Sequence, residues 1–239
     1  GAVQEAGANV INTGIGWHEA RVPTIATMVP RAGFTWVTKR LRPHIHVPLV
    51  TSNRINMPET AEQVLADDVA DIISMARPFL ADPDWVVKAE QQQADDINTC
   101  IACNQACLDH IFDNIHASCL VNPLAARETT LKVHPTRQRR TVAVVGAGPA
   151  GLAAACTAAE RGHEVVLFEG SGEIGGQFNY AKVVPGKEEF HETIRYFTRR
   201  IASSGVDLRL NTRVAPEDLT GFDAVVVATG VVPRELTLP

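Results

Sequence analysis

The sequence lacks long apolar runs and has few aromatic residues. No stretch reaches the roughly 18–20 consecutive apolar residues that a transmembrane helix needs. No charged segment followed by an apolar one opens the chain, so a secretory leader is not expected. Aromatic residues make up only 5% of the 239 positions, but hydrophobic residues make up 45%. That share is ordinary for a folded protein and excludes general disorder.

The chain also lacks an excess of basic residues and has few cysteines. Its 22 Lys and Arg stand against 27 Asp and Glu, and the net charge of −5 argues against nucleic-acid binding, which usually requires a basic surface. Five cysteines are too few for a disulfide scaffold. We therefore expect a cytoplasmic protein that binds neither nucleic acid nor membrane.

Both ends of the sequence lie close to predicted structure. The chain opens at Gly1, directly before a predicted helix over residues 2–6, and stops at Pro239, a few residues after a predicted strand. We expect a fragment of a longer polypeptide, with N-terminal and C-terminal parts missing.

Residues 1–95 alternate short apolar runs with helical patterns. Strands are predicted over residues 9–14, 48–52 and 71–75, with helices after Pro58 and from Pro83. Successive strand–helix units imply an α/β fold with a parallel sheet. Because a (β/α)8 barrel needs eight strands, we expect the C-terminal part of a TIM barrel. An open sheet of a few strands is the alternative.

Four of the five cysteines are clustered in residues 96–125. Cys100, Cys103, Cys107 and Cys119 have the spacing C-x2-C-x3-C-x11-C. Three close cysteines followed by a distant one fit a [4Fe–4S] cluster better than a structural zinc site, which usually has two separated pairs. Zinc and four free buried thiols are the alternatives. Cys156 is expected to pack in a core.

Residues 126–140 are polar and basic and are predicted to be a linker, after which residues 141–239 follow an α/β pattern. A strand over residues 141–145 leads into the glycine loop Gly146, Gly148 and Gly151, and a helix follows from Leu152. This order is typical of a Rossmann-like dinucleotide site, where the glycines let the backbone approach a pyrophosphate. Glu169 ends the next strand, where a ribose-binding carboxylate is expected.

Two later segments favour FAD over NAD as the nucleotide. A second glycine turn spans residues 172–177, and residues 222–230 form a predicted strand that ends in a small-residue turn. Both are habits of flavin-binding domains. We therefore interpret residues 141–239 as an incomplete FAD-binding domain.

Two arginines follow predicted strands of the first segment. Arg54 comes after the second strand and Arg77 after the third, and loops at this end of a barrel commonly hold a phosphate. Solvated surface charge is the alternative for each. His18 follows the first strand and is a possible proton donor, although spacing alone does not distinguish it from a packed histidine.

Seven motifs together resemble one known family over essentially the whole chain. In order, they are INTGIGWHEAR, SNRIN, SMARPFLADPDW, CIACNQACLD, SCLVNP, VVGAGPAGL and EIGGQF. The sequence is similar to the NADPH-dependent 2,4-dienoyl-CoA reductases of the bacterial type, which are grouped with trimethylamine dehydrogenase and old yellow enzyme.

The resemblance implies cofactors and a reaction. It implies FMN on the barrel, a [4Fe–4S] cluster beside it, FAD in the following domain and NADPH in an inserted domain. Hydride from NADPH would reduce FAD, electrons would pass singly through the cluster to FMN, and FMN would reduce a dienoyl-CoA in fatty acid β-oxidation. The barrel strands with the family's catalytic tyrosine are absent, so this chain alone is expected to be inactive.

The resemblance also implies roles for individual residues. His18 matches the family's active-site histidine, and the four clustered cysteines match the cluster ligands. The FMN positions are Arg54, Ala76 and Arg77, and the FAD positions are Ala150, Gly151, Glu169, Gly176 and Gln177.

Other functions remain open. Another ene-reductase or an amine dehydrogenase would use the same cofactors, and a free-standing flavin and iron–sulfur electron-transfer module is the alternative outside the enzyme class. A reading frame that continues upstream of Gly1 with further βα units would favour the enzyme, and a start codon there would favour the module.

Overall fold

The computed structural model describes residues 1–17 and 19–232, and the chain divides into two compact units. The first unit contains residues 1–131 together with 185–193. The second contains residues 132–184 and the chain from residue 194 onward. Segment 185–193 thus groups with the first unit, although its neighbours along the chain on both sides belong to the second.

The first unit is built around a parallel sheet of three short strands in the order β1-β2-β3. Ile11 is paired with Leu49, and Val50 with Ile72, so all three strands run in the same direction. The elements up to residue 90 are α1 (Ala2–Glu5), β1 (Ile11–Asn12), α2 (Thr35–Leu41), β2 (Leu49–Thr51), α3 (Pro58–Ala66), β3 (Ile72–Ile73), α4 (Arg77–Ala81) and α5 (Trp85–Glu90). The predicted strand–helix alternation is confirmed, with each strand shorter than its apolar run.

The central strand β2 is buried along its whole length, because it has a strand on each side and α2 packs against it. A buried apolar cluster of the first unit contains Ile55, Met57, Ala61, Trp85 and Ile97. Pro58 is the first residue of α3, where its fixed φ suits a helix start and its missing N–H costs no hydrogen bond.

The sequence patterns did not predict α2. β-Branched residues such as Thr35 and Val37 lower its intrinsic helix propensity, so tertiary packing must hold it. The buried hydroxyl of Thr38 supplies part of that support, because it hydrogen bonds with Thr13 after β1 (3.0 Å) and with Thr51 on β2 (2.8 Å).

The cysteine-containing segment that follows has little regular structure. It contains a 3-10 turn (Ala94–Asp96), a single π-helical turn (Gln105–Asp109) and the short helix α6 (His110–Phe112). The predicted linker, residues 126–140, has no helix or strand.

The second unit is a four-stranded parallel sheet in the order β6-β5-β4-β7 with helices packed on it. Its elements are β4 (Thr141–Val145), α7 (Pro149–Glu160), β5 (Glu164–Phe168), α8 (Phe178–Ala181), α9 (His191–Ser204), β6 (Asp207–Arg209) and β7 (Ala224–Val227). The first three residues of α9 fall in segment 185–193 and so belong to the first unit.

The core of the second unit lies between the sheet and α7, where Val144, Leu152, Ala155 and Leu167 are fully buried. Cys156 is buried in this core, which confirms the packing role expected for it. The predicted α7 begins three residues earlier, at Pro149, and β7 is shorter than the predicted run over residues 222–230. Within residues 1–17 and 19–232, no helix is long and apolar enough to cross a membrane.

Candidate functional site

The four clustered cysteines line one pocket, here called the cysteine pocket. The space between its lining residues, including the part open to solvent, is about 320 Å³. Two residues between the cysteines, Ala102 and Asn104, have positive φ angles (52° and 63°), and these fold the chain back on itself. This turn, followed by the π-helical turn at Gln105–Asp109, lets cysteines three and four residues apart face the same cavity. Cys119 reaches the cavity from a separate turn closed by the Asn122 N–H to the Cys119 carbonyl (3.3 Å).

Burial favours the protonated form of three of the thiols in this pocket. Burial raises the pKa of Cys100 and Cys103, and it raises the pKa of Cys119 to about 11. A metal that binds here must therefore displace protons, because thiolates rather than thiols are metal ligands.

The donor set suits a soft metal, because four cysteines line one cavity whose other lining residues are apolar apart from Arg77 and Asn104. Among the described residues, however, no three His, Cys, Asp or Glu side chains already stand in a metal-binding arrangement. The residues fit an iron–sulfur cluster by chemistry and grouping.

A second cavity, here called the strand-end pocket, lies where β2 and β3 end. The space between its lining residues, including the part open to solvent, is about 710 Å³. Its lining consists of Thr24, Ile25, residues 52–56, residues 74–78 and Cys100. Because Cys100 and Arg77 also line the cysteine pocket, the two cavities share a wall.

The two predicted phosphate-binding arginines both line the strand-end pocket, together with Ala76. Arg77 is half-buried, and its Nη1 donates to the Ile25 carbonyl (3.0 Å) and to Oδ1 of Asn104 (2.6 Å). Since Asn104 lies between two of the cysteines, this bond ties the cysteine segment to the strand-end pocket. Neither arginine is a solvated surface charge.

Arg54 is buried, with only 5% of the residue exposed. Its Nε donates to the Val29 carbonyl (2.8 Å), and its Nη2 donates to Oε1 of Glu189 (3.1 Å). Burial lowers the pKa of the Arg54 guanidinium, and the Glu189 carboxylate opposes that shift. The group stays charged, because arginine titrates far above neutral pH.

Glu189 is a buried carboxylate that the sequence patterns did not single out. It lies in segment 185–193, in a 3-10 turn just before α9. Burial would raise the pKa of Glu189, but the hydrogen bond and charge of Arg31 and the charge of Arg54 lower it overall. It is therefore an anion beside the strand-end pocket.

The second unit holds the glycine turns. A Cβ on Gly151 would lie 1.8 Å from the Gly146 carbonyl oxygen, so only glycine lets α7 start this close to the end of β4. The second turn touches the first, because the Gly175 N–H donates to the Ala147 carbonyl (2.7 Å). Nothing lies within 4 Å of where a Cβ of Gly148 would be, which leaves open space over the loop.

Around this space lie the other residues predicted to bind FAD. Ala150 and Gln177 are exposed, and a Cβ on Gly176 would lie 3.2 Å from the Cα of Gly148. The arrangement fits a dinucleotide, because the backbone leaves room for a pyrophosphate beside the start of a twelve-residue helix.

The Glu169 carboxylate lies at the end of β5 and contacts the same loop. Its Oε2 accepts the Ala147 N–H (2.7 Å), and its Oε1 accepts the N–H and hydroxyl of Ser171 (2.8 and 3.0 Å). Burial raises the pKa of Glu169, but these hydrogen bonds outweigh it and hold the pKa below its usual value. The predicted histidine donor, His18, lies outside the described residues.

Two families match separate parts of the chain. Residues 1–96 match the NADH:flavin oxidoreductase / NADH oxidase family, and residues 140–239 match the pyridine nucleotide-disulphide oxidoreductases. The first match implies FMN, and the second implies FAD and NAD(P).

Individual proteins match almost the whole chain. A metal reductase of Desulforamulus reducens is 38% identical over 100% of this chain and 36% of its own length. An NADH oxidase of Thermoanaerobacter brockii is 33% identical over 97% of this chain and 36% of its own length. A 2-naphthoyl-CoA reductase solved with 2-naphthoyl-CoA has a TM-score of 0.94 at 32% identity over 99% of this chain and 37% of that one. The chain thus spans about a third of the length of these relatives.

Proposed function

Because the chain joins an NADH:flavin oxidoreductase segment to a pyridine nucleotide-disulphide oxidoreductase segment, we propose that it is part of an NADPH-dependent flavoenzyme that reduces 2,4-dienoyl-CoA thioesters. The observation that carries the proposal is the shared wall of the two pockets. Four cysteines line one cavity, and Arg77 and Cys100 line both that cavity and the strand-end pocket. A site for a one-electron carrier thus adjoins a site with two arginines suited to a phosphate-bearing flavin.

Each group would be held by its own set of residues. Arg54, Ala76 and Arg77 would hold FMN, the four clustered cysteines a [4Fe–4S] cluster, and the two glycine turns with Glu169 would hold FAD. When bound, the flavins supply hydride transfer and the cluster supplies single-electron transfer.

The chain's own residues would orient these groups and move a proton. Arg54 and Arg77 present fixed positive charge to the strand-end pocket, which favours a phosphate and any anionic part of the flavin. By the resemblance, His18 would be the residue that donates a proton to the substrate. A positioned acid typically contributes about 10²–10⁴-fold to the rate.

The substrate class rests on the resemblance and on one solved relative. The 2-naphthoyl-CoA reductase carries a conjugated acyl-CoA, as the proposed reaction requires, and 99% of this chain matches it. The similarity to a metal reductase favours a second candidate, in which the same cofactors pass electrons to an inorganic acceptor.

The test uses the full-length protein, purified without oxygen. We expect FMN, FAD and four iron atoms per chain, and NADPH oxidation that a 2,4-dienoyl-CoA accelerates but the matching saturated acyl-CoA does not. NADPH oxidation that responds to a metal salt and to no enoyl- or dienoyl-CoA would favour the second candidate. Stoichiometric zinc without iron would contradict the electron path altogether.

A further inference from the structure

The carboxylate of Glu189 accepts hydrogen bonds from three side chains. Arg31 binds it through two nitrogens, Nε to Oε1 (2.9 Å) and Nη2 to Oε2 (3.0 Å). Arg54 donates to Oε1 (3.1 Å) and Asn56 donates to Oε2 (3.0 Å). Glu189 is only 8% exposed, so these charge-assisted bonds are shielded from water.

The first consequence concerns Arg54. Its side chain is 2% exposed, and a guanidinium this deeply buried needs a fixed partner to remain in place. Glu189 is the carboxylate that pairs with it. With Nε on the Val29 carbonyl and Nη2 on Glu189, the guanidinium plane is fixed, and Nη1 has no hydrogen-bond partner among the described residues. Arg54 lines the strand-end pocket, and its Nη1 group is available to donate a hydrogen bond to a ligand there.

The second consequence concerns Cys100. The Asn56 Nδ2 group divides its two hydrogens between Glu189 Oε2 and the Cys100 carbonyl, at 3.0 Å each. Asn56 is 2% exposed, and its backbone carbonyl accepts the Trp85 indole N–H (3.0 Å), so the residue is anchored at both ends. Glu189 thereby orients the amide that holds the backbone of Cys100.

We propose that Glu189 is a positioning residue for both pockets, which fixes the Arg54 guanidinium at the strand-end pocket and, through Asn56, the Cys100 backbone at the cysteine pocket. This inference rests on the proposed function, since it takes FMN and the cluster as the occupants. Glu189 lies in segment 185–193, which belongs to the first unit although the residues before and after it in sequence belong to the second. This segment would therefore help to shape the cysteine pocket and the strand-end pocket.

The test is Glu189→Gln in the full-length protein. The amide keeps the shape but replaces one acceptor oxygen by an NH2 group, which only donates, so Arg54 on Oε1 and Asn56 on Oε2 cannot both keep their bonds. We expect the Kd for FMN, measured by adding FMN to protein stripped of it, to rise at least tenfold, as for other residues that orient a ligand-binding group. The EPR spectrum of the reduced cluster should change, while FAD content stays at the wild-type value.

Glu59→Gln is the matched control, because Glu59 pairs with the same Arg31 (3.2 Å) from an exposed position. It should leave the Kd for FMN and the EPR spectrum unchanged. Folded Glu189→Gln protein with wild-type Kd and spectrum would overturn the proposal, and so would an equal effect of Glu59→Gln. A wild-type protein that binds no FMN would instead contradict the proposed function.

Glu189→Asp covers the case in which Glu189→Gln does not fold. It keeps the charge that Arg31 and Arg54 need, but its carboxylate is one methylene short and cannot reach all three partners. We expect a folded protein with a raised Kd for FMN. A wild-type Kd in this variant would show that Glu189 supplies charge alone, and the positioning role would be wrong.

Discussion

Gly148 and Gly151 lie in the same turn but meet different surroundings. A Cβ on Gly151 would collide with the Gly146 carbonyl oxygen, whereas Gly148 has open space around it and an ordinary φ of −73°. Gly151 is therefore required for the fold of the second unit. Gly148 has no such steric requirement, and the open space beside it fits the cofactor-binding role proposed for it.

This difference predicts that an alanine at one position lowers stability, whereas an alanine at the other weakens FAD binding. Gly151→Ala should lower the free energy of unfolding by about 3 kcal/mol, since a backbone oxygen cannot move aside cheaply. Gly148→Ala should change it by less than about 0.5 kcal/mol but reduce bound FAD, because the new methyl group occupies the pyrophosphate's place. Urea unfolding and flavin content measure both effects. Equal stability of the two variants would contradict the role given to Gly151.

The lowered pKa of Glu169 predicts that FAD binding weakens in acid. Its pKa is held below the usual value by the N–H groups of Ala147 and Ser171, despite partial burial. A lowered pKa in the folded state means that the carboxylate's stabilisation is present at neutral pH and is lost as pH falls through that pKa. Wild-type protein should thus release FAD only in acid, once the pH falls below the usual pKa of a glutamate. Glu169→Gln should bind FAD more weakly at pH 7 and lose this dependence, with FMN retained at pH 7. An FAD affinity of Glu169→Gln at pH 7 equal to that of the wild type would exclude Glu169 as an FAD-binding residue.

Residues with local spacing could be predicted, and residues paired at long range could not. The four cysteines and the glycine loop are each defined by neighbours within about twenty positions, so spacing alone grouped them correctly at one pocket and one turn. Glu189 has no such signal, because its partners Arg31 and Arg54 lie 158 and 135 positions away. A single sequence contains no information on which distant charges meet.

At the scale of elements, strands and helices with strong local patterns were predicted best. The strand predicted over residues 141–145 is confirmed to the residue as β4, because a β-branched run ended by a glycine leaves few alternatives. The helix α2 was missed, because β-branched residues lower its intrinsic propensity and part of its support comes from the hydrogen bonds of Thr38 to Thr13, which follows β1, and to Thr51 on β2. Tertiary contacts overrode propensity there.

Asp82 joins α5 to the segment that enters the cysteine pocket. Oδ2 of its buried carboxylate accepts hydrogen bonds from the Lys88 ammonium group (2.6 Å) and from the Asn98 N–H (2.8 Å). Asn98 in turn donates to the Val121 carbonyl (2.7 Å), next to the turn that carries Cys119.

Asp82→Ala should therefore destabilise the first unit and loosen the cysteine segment. We expect the free energy of unfolding to fall by about 2–4 kcal/mol, since a buried carboxylate with three hydrogen-bond donors is removed. Asp84→Ala is the control, because Asp84 is exposed and should cost less than about 0.5 kcal/mol. Urea unfolding with iron analysis tests both variants. A free energy of unfolding equal to that of the wild type in Asp82→Ala would contradict the stabilising role given to Asp82.

At the scale of the whole chain, the candidate sites are divided between two units. The cysteine pocket and the strand-end pocket are formed by first-unit residues, and the glycine turns with Glu169 belong to the second. Each unit has its own buried core. Loss of one cofactor should therefore leave the cofactor of the other unit in place.

Cys103→Ser tests this division directly. Cys103 lines the cysteine pocket, and a serine hydroxyl is a poor replacement for a thiolate toward iron. We expect the broad iron–sulfur absorption of anaerobically purified full-length protein to disappear, with FAD content unchanged. Cys156→Ser is the matched control, because Cys156 is buried in α7 of the second unit and does not line the cysteine pocket. It should keep its iron while it loses stability, since the buried hydroxyl lacks a water partner. Loss of FAD together with iron in Cys103→Ser would show that the two sites depend on each other. Iron retained in Cys103→Ser but lost in Cys156→Ser would place the cluster elsewhere.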